Sequence, residues 1–254
     1  MNVVVIGSGN VATHLAKALK AAGNSILQVW SRQPEHAATL AAAVDAEAIS
    51  SLNQAKPDAD LCILSVKDDA IAEISHTLLH FKGIIVHTSG ALPIDVFHEY
   101  FRRYGVFYPL QTFSKTKEVD FRTIPLCIEA SDPETYHTLF VLAQQLSTQV
   151  VPVDSEKRKI LHLAAVFACN FPNYLYTIAA DLLKKYDMSF EMLRPLILET
   201  ALKVQHADPE DVQTGPAVRR DEQTLEWHEA LLAGEARWKS IYHLLSEGIK
   251  NGKK

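Results

Sequence analysis

The residues at the start of the chain have the types and spacing of a site for a dinucleotide. A strand-like run at residues 2–6 leads directly into the pattern G-x-G-x-x-A at residues 7–12. Gly7 allows a sharp turn, Gly9 lets a pyrophosphate approach the backbone without meeting a Cβ, and Ala12 lets the next helix pack on the strand. That helix begins with free N–H groups and a positive dipole end. We therefore expect the pyrophosphate to be held by Gly7, Ser8, Gly9, Asn10 and Val11.

The residues after the second predicted strand bear on which dinucleotide binds. That strand, residues 26–30, ends about 20 residues past the glycines, where a site for NAD places Asp or Glu on the ribose hydroxyls. Ser31 and Arg32 stand there instead. A hydroxyl and a guanidinium can bind a 2′-phosphate through charge-assisted hydrogen bonds, whereas a carboxylate would repel it. The sequence favours NADP(H) over NAD(H); the alternative interpretation is a solvated polar turn.

Three polar loops follow later predicted strands, at the edge where open parallel sheets bind ligands. The loop at residues 65–69 contains Lys67, which could meet a phosphate or the nicotinamide carboxamide, and Asp69, which could instead cap a helix. The loop at residues 87–90 offers an imidazole and two hydroxyls, and a third polar loop spans residues 108–112. We expect the nicotinamide to be bordered by Ser65, Val66, Lys67, His87, Thr88 and Ser89.

A helix in the second half of the chain carries polar residues on an otherwise apolar segment. At about 100° per residue, His162 and Asn170 lie roughly 80° apart around it. We expect Asn170 to orient a substrate carbonyl or hydroxyl, and His162 or His87 to exchange the proton. The alternative is that both side chains are merely hydrogen-bonded. Pro172 predicts a kink close to the carbonyl of Ala168.

The elements that would position these residues change character along the chain. Up to about residue 150, short apolar runs alternate with helical segments, and right-handed crossovers make this series a doubly wound, mainly parallel sheet in an α/β fold. Beyond Pro152 only the helical period is present, at residues 156–185, 190–206 and 221–250. We predict a cofactor-binding domain at 1–152 and an all-α substrate or dimerisation domain at 153–254. Its large apolar residues are expected to form the core: Leu161, Phe167, Leu175, Leu182, Leu193, Leu196, Trp227, Leu231, Trp238 and Leu245.

Composition narrows the class of protein further. With 254 residues, 48% hydrophobic content and a net charge of −5, the chain is typical of a soluble globular protein and not of a nucleic-acid-binding one. Cys62, Cys127 and Cys169 share no redox or metal spacing, so we expect buried reduced thiols. His76 and His80 have no evident third ligand, so we expect no metal. With no apolar run of about 20 residues and no room for a signal peptide before residue 2, we expect a cytoplasmic protein with no membrane contact.

Several segments together resemble a family of oxidoreductases with a Rossmann-like N-terminal domain and a C-terminal domain known as DUF2520. The resemblance extends to deazaflavin-dependent NADP reductases, pyrroline-5-carboxylate reductase and 6-phosphogluconate dehydrogenase. Beyond the glycines at residues 7–12, it is carried by residues 87–90, 109–113, 162–170 and 214–216. It implies NADP as cofactor, a small-molecule substrate, and a helical domain that forms a homodimer and closes the active site over the nicotinamide.

Two departures from these relatives limit what can be carried over. Relatives often have His where Tyr108 stands. The 6-phosphogluconate dehydrogenase group uses a helix Lys one turn before an Asn, and Val166 occupies that turn here. Only the Asn, Asn170, is therefore carried over from that group.

The sequence leads to two hypotheses from different classes. The first is an NADP(H)-dependent oxidoreductase that passes a hydride between the nicotinamide and a small carbonyl, imine or hydroxy compound. The second is a non-catalytic NADP-binding sensor or scaffold. The missing Lys favours the sensor, whereas the polar loop at residues 87–89 and Asn170 favour the enzyme.

Overall fold

The computed structural model describes residues 1–252, and the chain divides into two compact units. The first unit is Met1–Cys169 and the second begins at Asn170. The domain boundary that the sequence predicts between residues 152 and 153 stays a prediction. None of the described helices is long and apolar enough to cross a membrane.

The first unit is built on one eight-stranded sheet, which confirms the predicted α/β class. Its strand order is β3-β2-β1-β4-β5-β6-β7-β8, and neighbouring strands are parallel except for the antiparallel pair β6 and β7. The strands are β1 Asn2–Ile6, β2 Ser25–Trp30, β3 Glu47–Ile49, β4 Leu61–Leu64, β5 Ile84–His87, β6 Tyr104–Pro109, β7 Leu126–Ala130 and β8 Val150–Pro152. Strand β3 escaped sequence analysis because it has three residues, two of them exposed.

Helices cover both faces of this sheet, because the side chains of a strand alternate between faces. Val3 and Val5 of β1 belong to one apolar cluster, and Val4 and Ile6 belong to the other. All four are at most 1% exposed, as expected for a strand at the centre of a doubly wound sheet. The helices of this unit are α1 Asn10–Ala21, α2 Pro34–Ala43, α3 Ile71–Thr77, α4 Pro133–Leu146 and α5 Ser155–Ala165.

The second unit is helical, as predicted, but its helices are shorter than the sequence pattern indicates. They are α6 Phe171–Lys185, α7 Arg194–Lys203, α8 Glu222–Leu231 and α9 Ala236–Gly252. The single helix predicted at residues 221–250 is wrong, because the chain leaves the helix after Leu231 and passes Gly234, a poor helix former. A π-helical segment, Val166–Asn170, precedes α6 at the predicted kink, since Pro172 supplies no N–H to the preceding turn.

Two expectations about burial are wrong. Among the residues predicted to form the helical core, Phe167, Leu196, Trp227, Leu231 and Leu245 are exposed, and the remaining five are at most partly buried. The helical period shows that one face is apolar, but it does not show what covers that face. Cys62 and Cys127 are buried free thiols as expected, whereas Cys169 is exposed.

Candidate active site

A cavity of about 520 Å³ lies at the carboxyl ends of β1, β2, β4 and β5. The structure brings together twelve of the thirteen residues predicted for the cofactor's phosphates and nicotinamide, and His87 is the exception. The other lining residues, which include Trp30, Gln33 and Asp68, were not predicted, although Trp30 and Gln33 directly flank the predicted pair at 31 and 32. The predicted residues that line it are Gly7, Ser8, Gly9, Asn10, Val11, Ser31, Arg32, Ser65, Val66, Lys67, Thr88 and Ser89.

The two glycines of the fingerprint meet different requirements. Gly7 has φ +124°, and an added Cβ would lie 2.0 Å from the carbonyl oxygen of Ser65. Gly9 has an ordinary extended conformation, φ −71° and ψ −172°, and nothing within 4 Å would meet its Cβ. Gly7 is therefore needed by the fold, while the space beside Gly9 is open for a ligand at the start of α1.

Two side-chain hydrogen bonds hold the end of the cavity where the phosphates are predicted to bind. The Ser8 hydroxyl donates to the Ser31 hydroxyl at 2.8 Å, which links the turn after β1 to the end of β2. The Asn10 side-chain amide donates to the carbonyl of Phe113 at 2.8 Å. Asn10 thus offers a ligand its backbone N–H, because its side chain holds the loop between β6 and β7.

The loops after β4 and β5 are joined in the same way. Thr88 Oγ1 donates to Ser65 Oγ at 3.1 Å, and Ser89 Oγ donates to a carboxylate oxygen of Asp68 at 2.9 Å. The suggestion that Asp69 caps a helix is wrong, because Asp69 lies inside a single 3₁₀ turn, Asp68–Ala70, that precedes α3. Hydroxyl contacts therefore fix two of the predicted nicotinamide loops against each other.

Two cations on the cavity wall have no carboxylate partner within residues 1–252. Arg32 and Lys67 both line the cavity and are exposed, and neither forms a salt bridge in this part of the chain. An unpaired guanidinium and ammonium beside a helix N-terminus favour an anionic ligand. The charges present thus fit a phosphorylated dinucleotide.

His87 does not line the cavity, in contrast to Thr88 and Ser89. Its side chain is 0% exposed, packs on the ring of Phe97, and accepts the backbone N–H of Ser89 on Nδ1 at 3.1 Å. Burial, with the nearby charge of Arg158, lowers the pKa of His87 to about 3. A neutral, enclosed imidazole is poorly placed to supply a proton, so this position does not fit the proton-exchange role predicted for His87.

His162 lies on α5 where three elements of the first unit meet. Its Nδ1 is 3.1 Å from the hydroxyl oxygen of Tyr108 at the end of β6. Its ring also packs on Gly90, the residue after cavity-lining Ser89, since a Cβ on Gly90 would lie 2.6 Å from the same Nδ1. Burial raises the pKa of Tyr108 to about 12, so its phenol keeps its proton at neutral pH. Tyr108, His162 and Gly90 are far apart in the sequence, so no local pattern predicts that they touch.

Asn170 is exposed and is the first residue of the second unit. It ends the π-helical segment, a feature that is frequent at functional sites. Its predicted role in orienting substrate stays a prediction.

A buried ion pair beside His162 was missed entirely. Arg158 is 0% exposed and pairs with Glu129 of β7. Two signals were available: Glu129 is a carboxylate inside an apolar strand, and Arg158 stands one helical turn before His162.

No group of three or more metal-ligating side chains is present in the described part of the chain. His76 instead contacts the Tyr100 hydroxyl, and His80 contacts the carbonyl oxygens of Ala55 and Thr77.

Two family models match the chain. One, described as NADP oxidoreductase coenzyme F420-dependent, matches residues 2–89, and the other, the domain of unknown function DUF2520, matches residues 124–249. Among curated proteins, none gives a significant match.

Solved structures match over nearly the whole chain. A Bacteroides fragilis protein described as a "putative NADP oxidoreductase" is 47% identical, with 98% of this chain and 97% of that chain covered and a TM-score of 0.95. An imine reductase from Myxococcus stipitatus in complex with NADP⁺ (14% identity, 98% and 93% covered, TM-score 0.65) shares the fold. So does 1-pyrroline-5-carboxylate reductase from Streptococcus pyogenes (14% identity, 98% of each chain covered, TM-score 0.65). The chain therefore belongs to the family of NADP oxidoreductases that join this N-terminal cofactor domain to a C-terminal DUF2520 domain.

Proposed function

We propose that the protein transfers a hydride between NADP(H) and a small carbonyl, imine or hydroxy compound. The observation that carries the proposal is the cavity itself, where a glycine turn, a helix N-terminus and two unpaired cations face one space. The names of two structural neighbours, an imine reductase and a pyrroline-5-carboxylate reductase, support a C=N or C=O substrate. Membership in an oxidoreductase family favours the enzyme over the non-catalytic sensor.

The residues present fit the cofactor part by part. Residues 7–11 would hold the pyrophosphate on backbone N–H groups, because the space beside Gly9 is open. Ser31 and Arg32 would hold the 2′-phosphate, and Lys67 adds a second positive charge. Ser65, Val66, Thr88 and Ser89 would border the nicotinamide, which supplies the hydride when bound.

His162 is the proton partner in this proposal, in preference to His87. The contact with Tyr108 engages Nδ1, and Nε2 makes no hydrogen bond among residues 1–252. Nε2 is thus available to give a proton to the substrate nitrogen or oxygen as the hydride reaches the carbon, and to take it back in the reverse direction. Asn170 would orient that substrate atom.

The first experiment separates cofactor binding from turnover. NADPH and NADH are titrated by calorimetry, and NADPH consumption is then measured with cyclic imines, α-keto acids and aldehydes. We expect tight NADPH binding, turnover of at least one class, and a loss of turnover of roughly 10²-fold or more in His162→Ala. His137→Ala, which removes an exposed histidine of α4, is the matched control. Binding without turnover of any class would favour the sensor.

We also propose that the helical unit forms a homodimer in the cytoplasm. Large apolar side chains are exposed on this unit, Leu196 and Trp227 among them, and exposed apolar patches of this kind mark interfaces. Three free thiols suit a reducing compartment. Light scattering of the purified protein tests the dimer, since a monomeric mass at assay concentration would exclude it.

A further inference from the structure

The Arg158 side chain links three separate segments of the first unit. One end of its guanidinium pairs with Glu129 of β7. Its other terminal nitrogen donates to the carbonyl of Leu92, in the loop after β5, and to the hydroxyl of Ser155 at 3.2 Å. The side chain is completely buried, which is rare for arginine unless it is paired and hydrogen-bonded.

Glu129 and Ser155 complete the same network. The Glu129 carboxylate accepts the backbone N–H of Ser155 at 3.0 Å and its hydroxyl at 2.8 Å. The Ser155 hydroxyl also accepts the backbone N–H of Ile94 at 2.9 Å. Both oxygens of the carboxylate are therefore used, and the start of α5 is attached to β7 and to the loop after β5.

One helical turn further along α5, His162 makes the second attachment to that loop. Residues four apart lie on the same face of a helix, so Arg158 and His162 face the loop together. Arg158 holds Leu92, and His162 packs on Gly90 two residues earlier. The position of the imidazole therefore depends on how the arginine ties helix to loop.

We infer that Arg158 is a positioning residue for His162: bound to Glu129 and Leu92, it holds α5 and the loop after β5 where the imidazole meets Gly90 and Tyr108. This inference rests on the proposed role of His162 in proton exchange. It assigns the buried ion pair to the proton-transfer end of the site and not to the cofactor end.

The charge of Arg158 also reaches the groups around this contact. Burial raises the pKa of Tyr108 and Cys127 and lowers that of His87, and in all three cases the arginine charge lowers the pKa. The cation thus opposes protonation of His87. His87 therefore stays neutral beside the ion pair of Arg158 and Glu129.

The test must separate positioning from stability. In Arg158→Met the carboxylate of Glu129 loses its cation, and that variant is expected to be strongly destabilised. The double variant Glu129→Gln, Arg158→Met leaves no unpaired charge and should recover much of the unfolding temperature. Arg158→Lys keeps the charge, but a single ammonium cannot reproduce the fork that spans Glu129 and Leu92. Lys157→Met removes an exposed cation from the same helix and is the control.

The readout is the imidazole of His162 in the NMR spectrum of the whole protein, assigned with a His162→Gln variant. We expect its tautomer and pH titration to change in the double variant and in Arg158→Lys, and to stay as in the wild type in Lys157→Met. NADPH affinity should be retained in all of them, because residues 7–11 and Arg32 belong to other elements. Once a substrate is identified, kcat of the double variant and of Arg158→Lys should fall roughly 10²-fold, the loss expected when a catalytic group is displaced by about 1 Å.

The outcomes distinguish this inference from the proposed function. A folded double variant or a folded Arg158→Lys in which His162 keeps its tautomer and titration overturns the positioning role and leaves Arg158 a stabilising residue. A changed His162 signature supports positioning even where the wild-type protein turns over no imine, keto acid or aldehyde, and in that case the proposed function fails separately.

Discussion

The two glycines of the turn after β1 should respond in opposite ways to the same substitution. In Gly7→Ala, the alanine backbone must keep a positive φ, a strain that costs about 1–3 kcal/mol. Its Cβ would also lie 2.0 Å from the carbonyl oxygen of Ser65. Relieving that overlap requires β1 and β4 to shift, which costs about 1–3 kcal/mol more. We therefore expect Gly7→Ala to lower the free energy of unfolding by about 2–6 kcal/mol.

Gly9→Ala should instead leave the fold intact. Its backbone is extended and its Cβ meets nothing within 4 Å. The reduced entropy of the unfolded chain and the less favourable helix N-cap oppose each other, so stability should change by less than about 1 kcal/mol. The Cβ would, however, occupy the approach of the pyrophosphate. Loss of one charge-assisted hydrogen bond, about 1.5–3 kcal/mol, weakens NADPH binding roughly 10- to 150-fold.

Urea unfolding and calorimetric titration of NADPH, run on both variants and the wild type, test this pair of predictions. The reasoning fails if Gly7→Ala unfolds at the wild-type urea concentration, since a 2.0 Å backbone overlap cannot be neutral. It also fails if Gly9→Ala binds NADPH as tightly as the wild type, because the open space beside Gly9 would then not hold the cofactor.

Three further variants probe other parts of the site. Arg32→Ala should weaken NADPH roughly 10- to 150-fold and NADH much less, and equal losses in titrations of both cofactors would contradict a 2′-phosphate contact. Gly90→Ala should displace His162 and lower kcat roughly 10²-fold with NADPH affinity retained; unchanged kinetics would show that the imidazole does not act from this position. His87 has a folded pKa of about 3, below its value of 6.5 when unfolded, so the unfolded chain binds the extra proton and stability falls as pH falls from 6.5 to 3. In His87→Gln, the free energy of unfolding should therefore fall less steeply as the pH is lowered, by up to about 1.4 kcal/mol per pH unit. Thermal unfolding at a series of pH values measures this, and the same pH dependence as in the wild type would contradict the lowered pKa of His87.

The parts of the fold that were predicted correctly depend on local pattern. Buried strands of the sheet read as apolar runs because both of their faces are covered, so β1 and β4 were evident. Short β3 and the break between α8 and α9 were missed, because neither has a strong local signal beyond one glycine. The exposed apolar faces of the second unit show the same limit, since periodicity identifies a face without its partner.

The candidate site shows the same difference between features with a local sequence signal and features without one. The lining of the cavity could largely be predicted because most of its residues follow strand ends, and parallel strands bring their carboxyl ends to one edge. The contact between Tyr108 and His162 joins residues 54 apart, and the pair Glu129 and Arg158 joins residues 29 apart. Such contacts depend on which strands are neighbours, and the antiparallel pairing of β6 with β7 was not specified by any local pattern.

The sequence by itself determined the doubly wound sheet, the glycine turn and the basic residue that favours NADP(H), because these follow from short-range sterics, periodicity and charge. Only the tertiary structure decided which of the two histidines is enclosed and which stays partly exposed. His87 and His162 are equally polar in the sequence, yet His87 is fully buried and its pKa is lowered, while His162 is partly exposed and contacts Gly90 and Tyr108. Burial and the proximity of Arg158 are properties of the packed chain, and they lower the pKa of the His87 imidazole.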